Sequence, residues 1–487
     1  MMPDHNSSAG KPASRKIVID PVTRVEGHGK VTIRLNEAGE VEQARFHIVE
    51  FRGFERFIQG RMFAEVPVIV QRLCGICPVS HHLCAAKAMD LVAGVDQVTP
   101  TADKMRRLMH HGQVLQSNAL NFFHLASPDL LLGFDAPVSQ RNIIGVIEAF
   151  PEVGKWAIFI RKFGQMVIKA TSGRRIHPRL CVPGGVNQNL SIAHRDALRA
   201  DVGQILGWCC DALELHKSYI SDNIALYESF ASFPSSYMSL VGPGGVMDLY
   251  DGTLRAIAAD GTPIFEGVHP AAYRDYMIEE VRPWSYMKFP HIRSLGRDHG
   301  WYRVGPLAQL NCCTRIGTPI AEAARQDFLA LGHGGLVHAT LAYHWARLIC
   351  MIHCAETIRD LLFDDDLQGN DLLVTGDRRH ECIAIIEAPR GTLLHHYEVD
   401  GNGQVTAANL IVSTTNNNEA MNRSVTKVAI DTLSGHEITE GLLNHIEVAI
   451  RAYDPCLSCA THALGDMPLI VTLEDAEGAT IATRVKE

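Results

Sequence analysis

Two C-x-x-C pairs stand near opposite ends of this chain, Cys74-Gly75-Ile76-Cys77 and Cys456-Leu457-Ser458-Cys459. Within such a pair both sulfurs lie on one tight turn and reach one metal, and deprotonated thiolates prefer zinc, nickel, copper(I) or iron. Each pair is half of a tetrahedral site, so a shared ion forces the chain to bring its beginning back to its end. A structural zinc held by four cysteines is the plain alternative, although zinc ribbons join their pairs over a short hairpin. A catalytic dithiol needs one pair and a thioredoxin-like βαβ setting, which the pattern does not supply. A centre built from both ends lies deep in the fold, and a reactive metal site suits so large a chain better than a closed one.

The remaining cysteines of the 13, among them Cys209-Cys210, Cys312-Cys313, Cys350 and Cys354, are unevenly spaced and read as small core residues in a reducing compartment. With 45 basic against 54 acidic residues and no block of Lys or Arg, a nucleic-acid partner is not expected. The polar start, Met1 to Lys16, carries no secretory signal, which makes the cytoplasm the expected location. The most apolar stretch, Leu336 to Cys354, contains His338, His344, Arg347 and His353; it reads as a buried helix, and no membrane span is expected.

Strand-like runs at Lys16–Asp20, Lys30–Leu35 and Val41–Val49, with a turn at Asn36-Glu37-Ala38-Gly39, predict a small antiparallel sheet. Helical periodicity begins at Thr101, read as an N-cap after Pro100, and longer helices are expected near 140–170, 190–230, 320–362, 417–433 and 438–452. A Gly/Pro segment with short strands lies at Val241–Val246, and a second sheet at Cys382–Ile411. The fold class is α+β and helix-dominated: a long central helical bundle with small antiparallel sheets at the edge and the metal site buried at the centre.

The flanks of the cysteine pairs narrow the function. Arg72-Leu73-Cys74-Gly75-Ile76-Cys77-Pro78-Val79-Ser80-His81 and Asp454-Pro455-Cys456-Leu457-Ser458-Cys459-Ala460-Thr461-His462 resemble the two signature motifs of the large, catalytic subunit of nickel–iron hydrogenases. Three further motifs follow the family order: Asp20-Pro21-Val22-Thr23-Arg24-Val25-Glu26-Gly27-His28, Phe51-Arg52-Gly53-Phe54-Glu55 and Glu387-Ala388-Pro389-Arg390-Gly391. The variants present are most like the cytoplasmic, NAD-reducing branch.

By this resemblance all four cysteines bind nickel, and Cys77 and Cys459 also bridge to an iron carrying carbon monoxide and cyanide. Heterolytic splitting of H2 needs such a metal pair with an open position and a base for the proton, a role open to a thiolate. The resemblance makes Glu26 the carboxyl that relays the proton from Cys456, and His81 a hydrogen-bond donor to Cys459. It places the Arg390 guanidinium over the open side of the metals, with Asp129 and Asp454 as candidates to hold it or to shape that pocket, and makes Thr414 a donor to a cyanide. In Val412-Ser413-Thr414-Thr415-Asn416 a serine replaces the family's usual proline. Glu55, the carbonyl of Leu410 and His462 match ligands of a second metal, magnesium or another divalent ion. Read without the motifs, Glu26 is an ordinary turn carboxylate, His81 a core histidine and Arg390 a surface arginine.

No other cysteine grouping resembles an iron–sulfur motif, and no dinucleotide or phosphate loop is present; Gly242-Pro243-Gly244-Gly245 is a turn. Iron–sulfur clusters, flavin and nicotinamide are therefore expected on an iron–sulfur small subunit and on flavin/NAD-binding diaphorase subunits. Residues 1–462 are read as a single catalytic unit. Residues 463–487, which pattern as a β-hairpin, are read as an extension that a maturation protease removes once nickel is in place. Competing readings are a relative delivering electrons to NADP, ferredoxin or a deazaflavin, a non-catalytic H2 sensor or scaffold, and the zinc protein.

Overall fold

The first strands form as their alternation dictates. In the computed structural model, which describes residues 15–461, 469–474 and 480–486, β1 (Arg15–Ile19), β2 (Gly29–Leu35) and β3 (Val41–Ile48) make an antiparallel sheet. Val31, Ile33 and Leu35 of β2 and Ala44, Phe46 and Ile48 of β3 face inward.

Prolines set where three of the long helices start. Helix α1 (Pro78–Val92) begins directly after Cys77. In α2 (Pro100–Ala119), Thr99, not Thr101, is the cap: its side chain accepts the Ala102 N–H, and Pro100 takes the first helical position, where a missing N–H costs nothing. Three expected helices prove divided. The first becomes Ile143–Ala149 and α3 (Pro151–Ser172), broken where Pro151 lacks the donor needed to continue. The second, α4 (Ile192–Asp222), is separated from Ile224–Ser229 at Asn223. The third becomes Pro319–Leu329 and α5 (Ala342–Leu362), because the Gly332-His333-Gly334-Gly335 run turns left-handed at His333 (φ 49°) and Gly334 (φ 93°).

Helices α2 and α4 each pack against α3 and α5, forming the central bundle. The expected buried helix is α5, buried without interruption from residue 342 to 356 with Arg347 and His344 inside. No helix among the described residues is long and apolar enough to cross a membrane. A four-stranded sheet over residues 236–303 flanks the bundle, and its Tyr302–Arg303 strand pairs parallel to Ser236–Val241, an exception to the antiparallel expectation.

The second expected sheet is β4 (Glu381–Ala388), β5 (Gly391–Val399) and β6 (Val405–Ile411), antiparallel throughout. The β4–β5 turn is reduced to Pro389-Arg390, with Ala388 opposite Gly391. Gly391 (φ 119°) is required there, since a Cβ would meet the Gly305 nitrogen at 2.4 Å. Helices α6 (Asn418–Leu433) and α7 (Glu440–Ala452) follow, and the segment after α7 carries the second cysteine pair to the first. The expected hairpin beyond residue 462 is β7 (Leu469–Glu474) against β8 (Thr480–Lys486).

Candidate metal centre

The two cysteine pairs meet. Cys74 ends a short 3-10 turn, and Cys77 occupies the N-cap position of α1, where unpaired N–H groups favour negative charge. Cys456 and Cys459 follow the sharp turn at Asp454, whose φ of 53° reverses the chain beyond α7. The Cys74 and Cys456 sulfurs lie 3.3 Å apart, those of Cys77 and Cys459 3.7 Å, and those of Cys456 and Cys459 2.8 Å. All four fall within 4.8 Å of one another and are buried. Sulfurs around a tetrahedral ion bonded at about 2.3 Å stand roughly 3.8 Å apart, so the donor set fits one metal centre. Among the described residues the other cluster with metal-ligand reach is Glu381, His396 and Glu398, of which both acids are exposed.

The surroundings favour thiolate at this point. Burial opposes ionisation of Cys74, but hydrogen bonds from the Cys456, Cys459 and Cys77 thiols overcome it and, with the Arg390 charge, hold its pKa well below the ordinary thiol value. The Ile76 and Cys77 N–H groups also donate to that sulfur, at 3.2 and 3.1 Å. Burial pushes Cys456 and Cys459 well up. A bound cation is what allows all four to ionise together.

Glu26 reaches the centre from the opposite side. Its backbone pairs with Cys456 in a parallel bridge, its carbonyl accepts the Leu457 N–H, and its Oε2 accepts from the Cys456 thiol at 2.9 Å and from the Ser458 N–H at 3.2 Å. Glu26 is half-buried, so it stands between the sulfur and the outside.

Arg390, 3% exposed, donates from Nε to the Asp454 carbonyl at 2.6 Å, from Nη2 to the Asp454 carboxylate at 3.1 Å and from Nη1 to Ser117 at 3.3 Å. Burial opposes its charge, but Asp454 and the sulfurs of Cys456, Cys77 and Cys74 outweigh that and raise its pKa well above the ordinary value. It lines one small cavity with Cys77, His81, Thr414 and Cys456.

Of the two aspartates expected to hold Arg390 or to shape its pocket, Asp454 holds it, and Asp129 makes its ion pairs with other arginines. The Asp129 carboxylate is taken by Arg24, Arg451 at 3.0 Å and Asn444 at 3.2 Å. Arg24 stands two residues before Glu26, and Arg451 also donates to the carbonyl and hydroxyl of Thr23, so Asp129 anchors the segment that presents Glu26. Thr414 accepts the Cys456 N–H at 3.0 Å, which leaves its hydroxyl proton for another acceptor. The His81 Nδ1 lies 3.2 Å from Nε2 of His395, a residue the motifs did not single out. Glu55 accepts the Leu410 N–H at 2.8 Å, which brings these two expected second-metal residues together, and His462 lies outside the described residues. Ser117, Arg347 and His395 complete the surroundings; the sequence signal for them was a charged or polar residue inside an apolar helix or strand.

The comparisons agree with this assembly. A nickel-dependent hydrogenase family model matches residues 52–134 and 254–462, and a HoxL-like model matches residues 16–51. The subunit beta of the NAD-reducing hydrogenase HoxS of Cupriavidus necator is 49% identical, across 97% of this chain and 100% of its own length. A solved structure of an NAD+-reducing NiFe hydrogenase in the H2-reduced state superposes with a TM-score of 0.91 at 55% identity, covering 92% of this chain and 100% of that one. The Ni-Fe-Se hydrogenase of D. vulgaris Hildenborough shares the fold, with a TM-score of 0.75 at 22% identity over 92% of this chain and 100% of that one. With its four sulfurs converging as those motifs require, the chain belongs to the nickel-dependent hydrogenase family.

Proposed function

We propose that this chain is the catalytic subunit of an NAD-reducing nickel–iron hydrogenase that splits H2 reversibly and heterolytically. The observation that carries the reading is the meeting of Cys74, Cys77, Cys456 and Cys459 within 4.8 Å, with Glu26 hydrogen-bonded to one of the sulfurs. Full-length likeness to NAD-reducing enzymes favours NAD over other acceptors. The four thiolates would hold nickel, Cys77 and Cys459 would also hold iron, and that pair, with carbon monoxide and cyanide on iron, would supply a Lewis acid that polarises H2.

The chain's own groups handle the proton and the charge. A proton on the Cys456 sulfur passes to Glu26 Oε2, 2.9 Å away, and from that half-buried carboxyl toward solvent. Arg390, held by Asp454 and Ser117, fixes a positive charge beside the sulfurs. His81 donates to a sulfur, and Thr414, its oxygen already engaged by the Cys456 N–H, directs its proton into the cavity. Glu55, the Leu410 carbonyl and His462 would hold magnesium or another divalent ion.

Electrons leave to an iron–sulfur small subunit and then to flavin- and NAD-binding subunits, in the cytoplasm. The match of the family model stops at residue 462, which supports removal of residues 463–487 by a maturation protease. Metal analysis, infrared bands of carbon monoxide and cyanide, and H2-dependent NAD+ reduction by the purified complex test the reading; zinc in place of nickel, or absence of those bands, overturns it. Intact mass on active, nickel-loaded protein tests the processing: full activity with Ala463 to Glu487 attached makes the hairpin part of the working fold.

A further inference from the structure

We propose that Tyr397 and His395 are positioning residues that fix the proton on His81, so that His81 turns an N–H rather than a lone pair toward the cysteine centre. The three side chains form one buried chain: His81 Nδ1 lies 3.2 Å from His395 Nε2, and His395 Nδ1 lies 2.8 Å from the Tyr397 hydroxyl. His81 is 1% exposed, and His395 and Tyr397 are 0% exposed. The period of two along β5 puts residues 395 and 397 on the same face, while His396 points away to Tyr273 and Glu381.

A neutral imidazole has one donor and one acceptor, so the direction of a single hydrogen bond sets every other in such a chain. Among the described residues, His395 Nδ1 is the hydrogen-bond partner of the Tyr397 hydroxyl. If His395 Nδ1 carried the proton, the phenol oxygen would accept it and the buried phenol O–H would have no acceptor among the described residues, an arrangement native interiors avoid. The phenol therefore donates to Nδ1, and His395 carries its proton on Nε2. That N–H donates to His81 Nδ1, and the His81 proton lies on Nε2, across a ring that lines the cavity shared with Cys77, Cys456 and Arg390. Burial pushes the Tyr397 pKa well up, so the phenol remains a donor. A hydrogen bond to a sulfur withdraws electron density from the centre, and a residue two side chains away decides whether it forms.

The infrared arm of the test rests on the hydrogenase reading, whereas the diffraction arm does not. Neutron diffraction from deuterium-exchanged wild-type crystals should show deuterium on His395 Nε2 and His81 Nε2; deuterium on His81 Nδ1 overturns the inference. In the loaded complex, Tyr397→Phe should shift the carbon monoxide and cyanide bands with nickel and iron content unchanged. His395→Gln, whose carbonyl accepts from the phenol while its amide donates to His81, should stay close to wild type, and His395→Leu should not. Bands of Tyr397→Phe that coincide with wild type at full metal content also overturn it. Should Tyr397→Phe fail to take up metal, the neutron result on wild type decides alone. Wild-type protein without any such bands would sink the hydrogenase reading and leave the proton assignment standing on diffraction.

Discussion

Two buried aspartates, Asp454 and Asp129, sit in the same interior with guanidinium groups against each, and they do opposite things. Asp454 holds Arg390 at the cysteine cavity and feels the charge of the buried Arg347, whose pKa burial pulls down to about 10. Arg390 spends only part of its donor fork on that carboxylate, and its charge acts on the sulfurs. Around Asp129, Arg24 and Arg451 are consumed by the carboxylate, by the Leu125 and Thr23 carbonyls, by Asn444 and by Glu447. One cluster leaves a charge beside the cysteine sulfurs. The other uses its charges to lock the loop between β1 and β2 in place, and what it locks is the segment carrying Glu26.

The largest effects are expected where a group acts on the proton itself. Glu26→Gln keeps the hydrogen-bonding shape beside Cys456 but cannot carry a proton, and H2/D+ exchange in the loaded complex should fall by roughly 10²- to 10⁴-fold with the metals retained. Wild-type exchange in that variant would make Glu26 a structural residue. Arg390→Lys removes the planar fork that engages the Asp454 carbonyl, its carboxylate and Ser117 at once, and turnover should drop on the order of 10²-fold with nickel and iron still bound. Unchanged turnover would erase the distinction drawn between the two clusters.

Asp129→Asn tests the other side. Breaking a buried pair by removing one partner costs about 3–5 kcal/mol, so the main readout is a lowered denaturation midpoint, not a loss of metal-centre spectra. Turnover should fall less than in Arg390→Lys, through looser seating of Glu26. A variant with full stability and abolished turnover would move Asp129 into the chemistry.

The division of labour between the two aspartates shows what the chain's sequence can carry. The four cysteines, Glu26 and Arg390 were legible because their residue types are tied to flanking motifs, and the sheet strands because a period of two is a strong local signal. Asp129 and Asp454 were indistinguishable, since each is an aspartate near an apolar helix, and which arginine each meets is decided by tertiary packing. The widened turn of residues 120–126, where the helix continuing α2 becomes a π-helix, is likewise invisible in composition, yet it brings Asn121 to the Arg451 carbonyl. His395 escaped notice because alternation marks it as an inward strand residue and says nothing of the ring it touches. The left-handed step at His333 hid because helical periodicity resumes after it and the glycines around it fit either reading.

The smallest effect comes from a third buried acid that extends the comparison to a carboxyl with no guanidinium at all. Glu387, 0% exposed, receives the Leu240 N–H at 2.9 Å, the Thr392 hydroxyl at 2.7 Å and the Gln309 amide at 3.0 Å, and among the described residues no cation pairs with it. Burial raises its pKa from 4.5 to about 7 against the pull of these donors. A carboxyl raised in this way binds its proton more tightly when folded than when unfolded. Its contribution is therefore complete below the unfolded pKa and is lost as pH rises from about 4.5 through 7, a swing of about 3 kcal/mol. Glu387→Gln removes the titration and keeps a neutral amide in place, and Gln309, whose Oε1 has no partner, can flip to accept from it. The stability of the wild type relative to this variant should decline from about pH 5 to pH 8 in denaturant titrations. A difference that stays level over that range would mean that Glu387 is held ionised by dipoles alone, and that a buried acid here needs no arginine to stay charged.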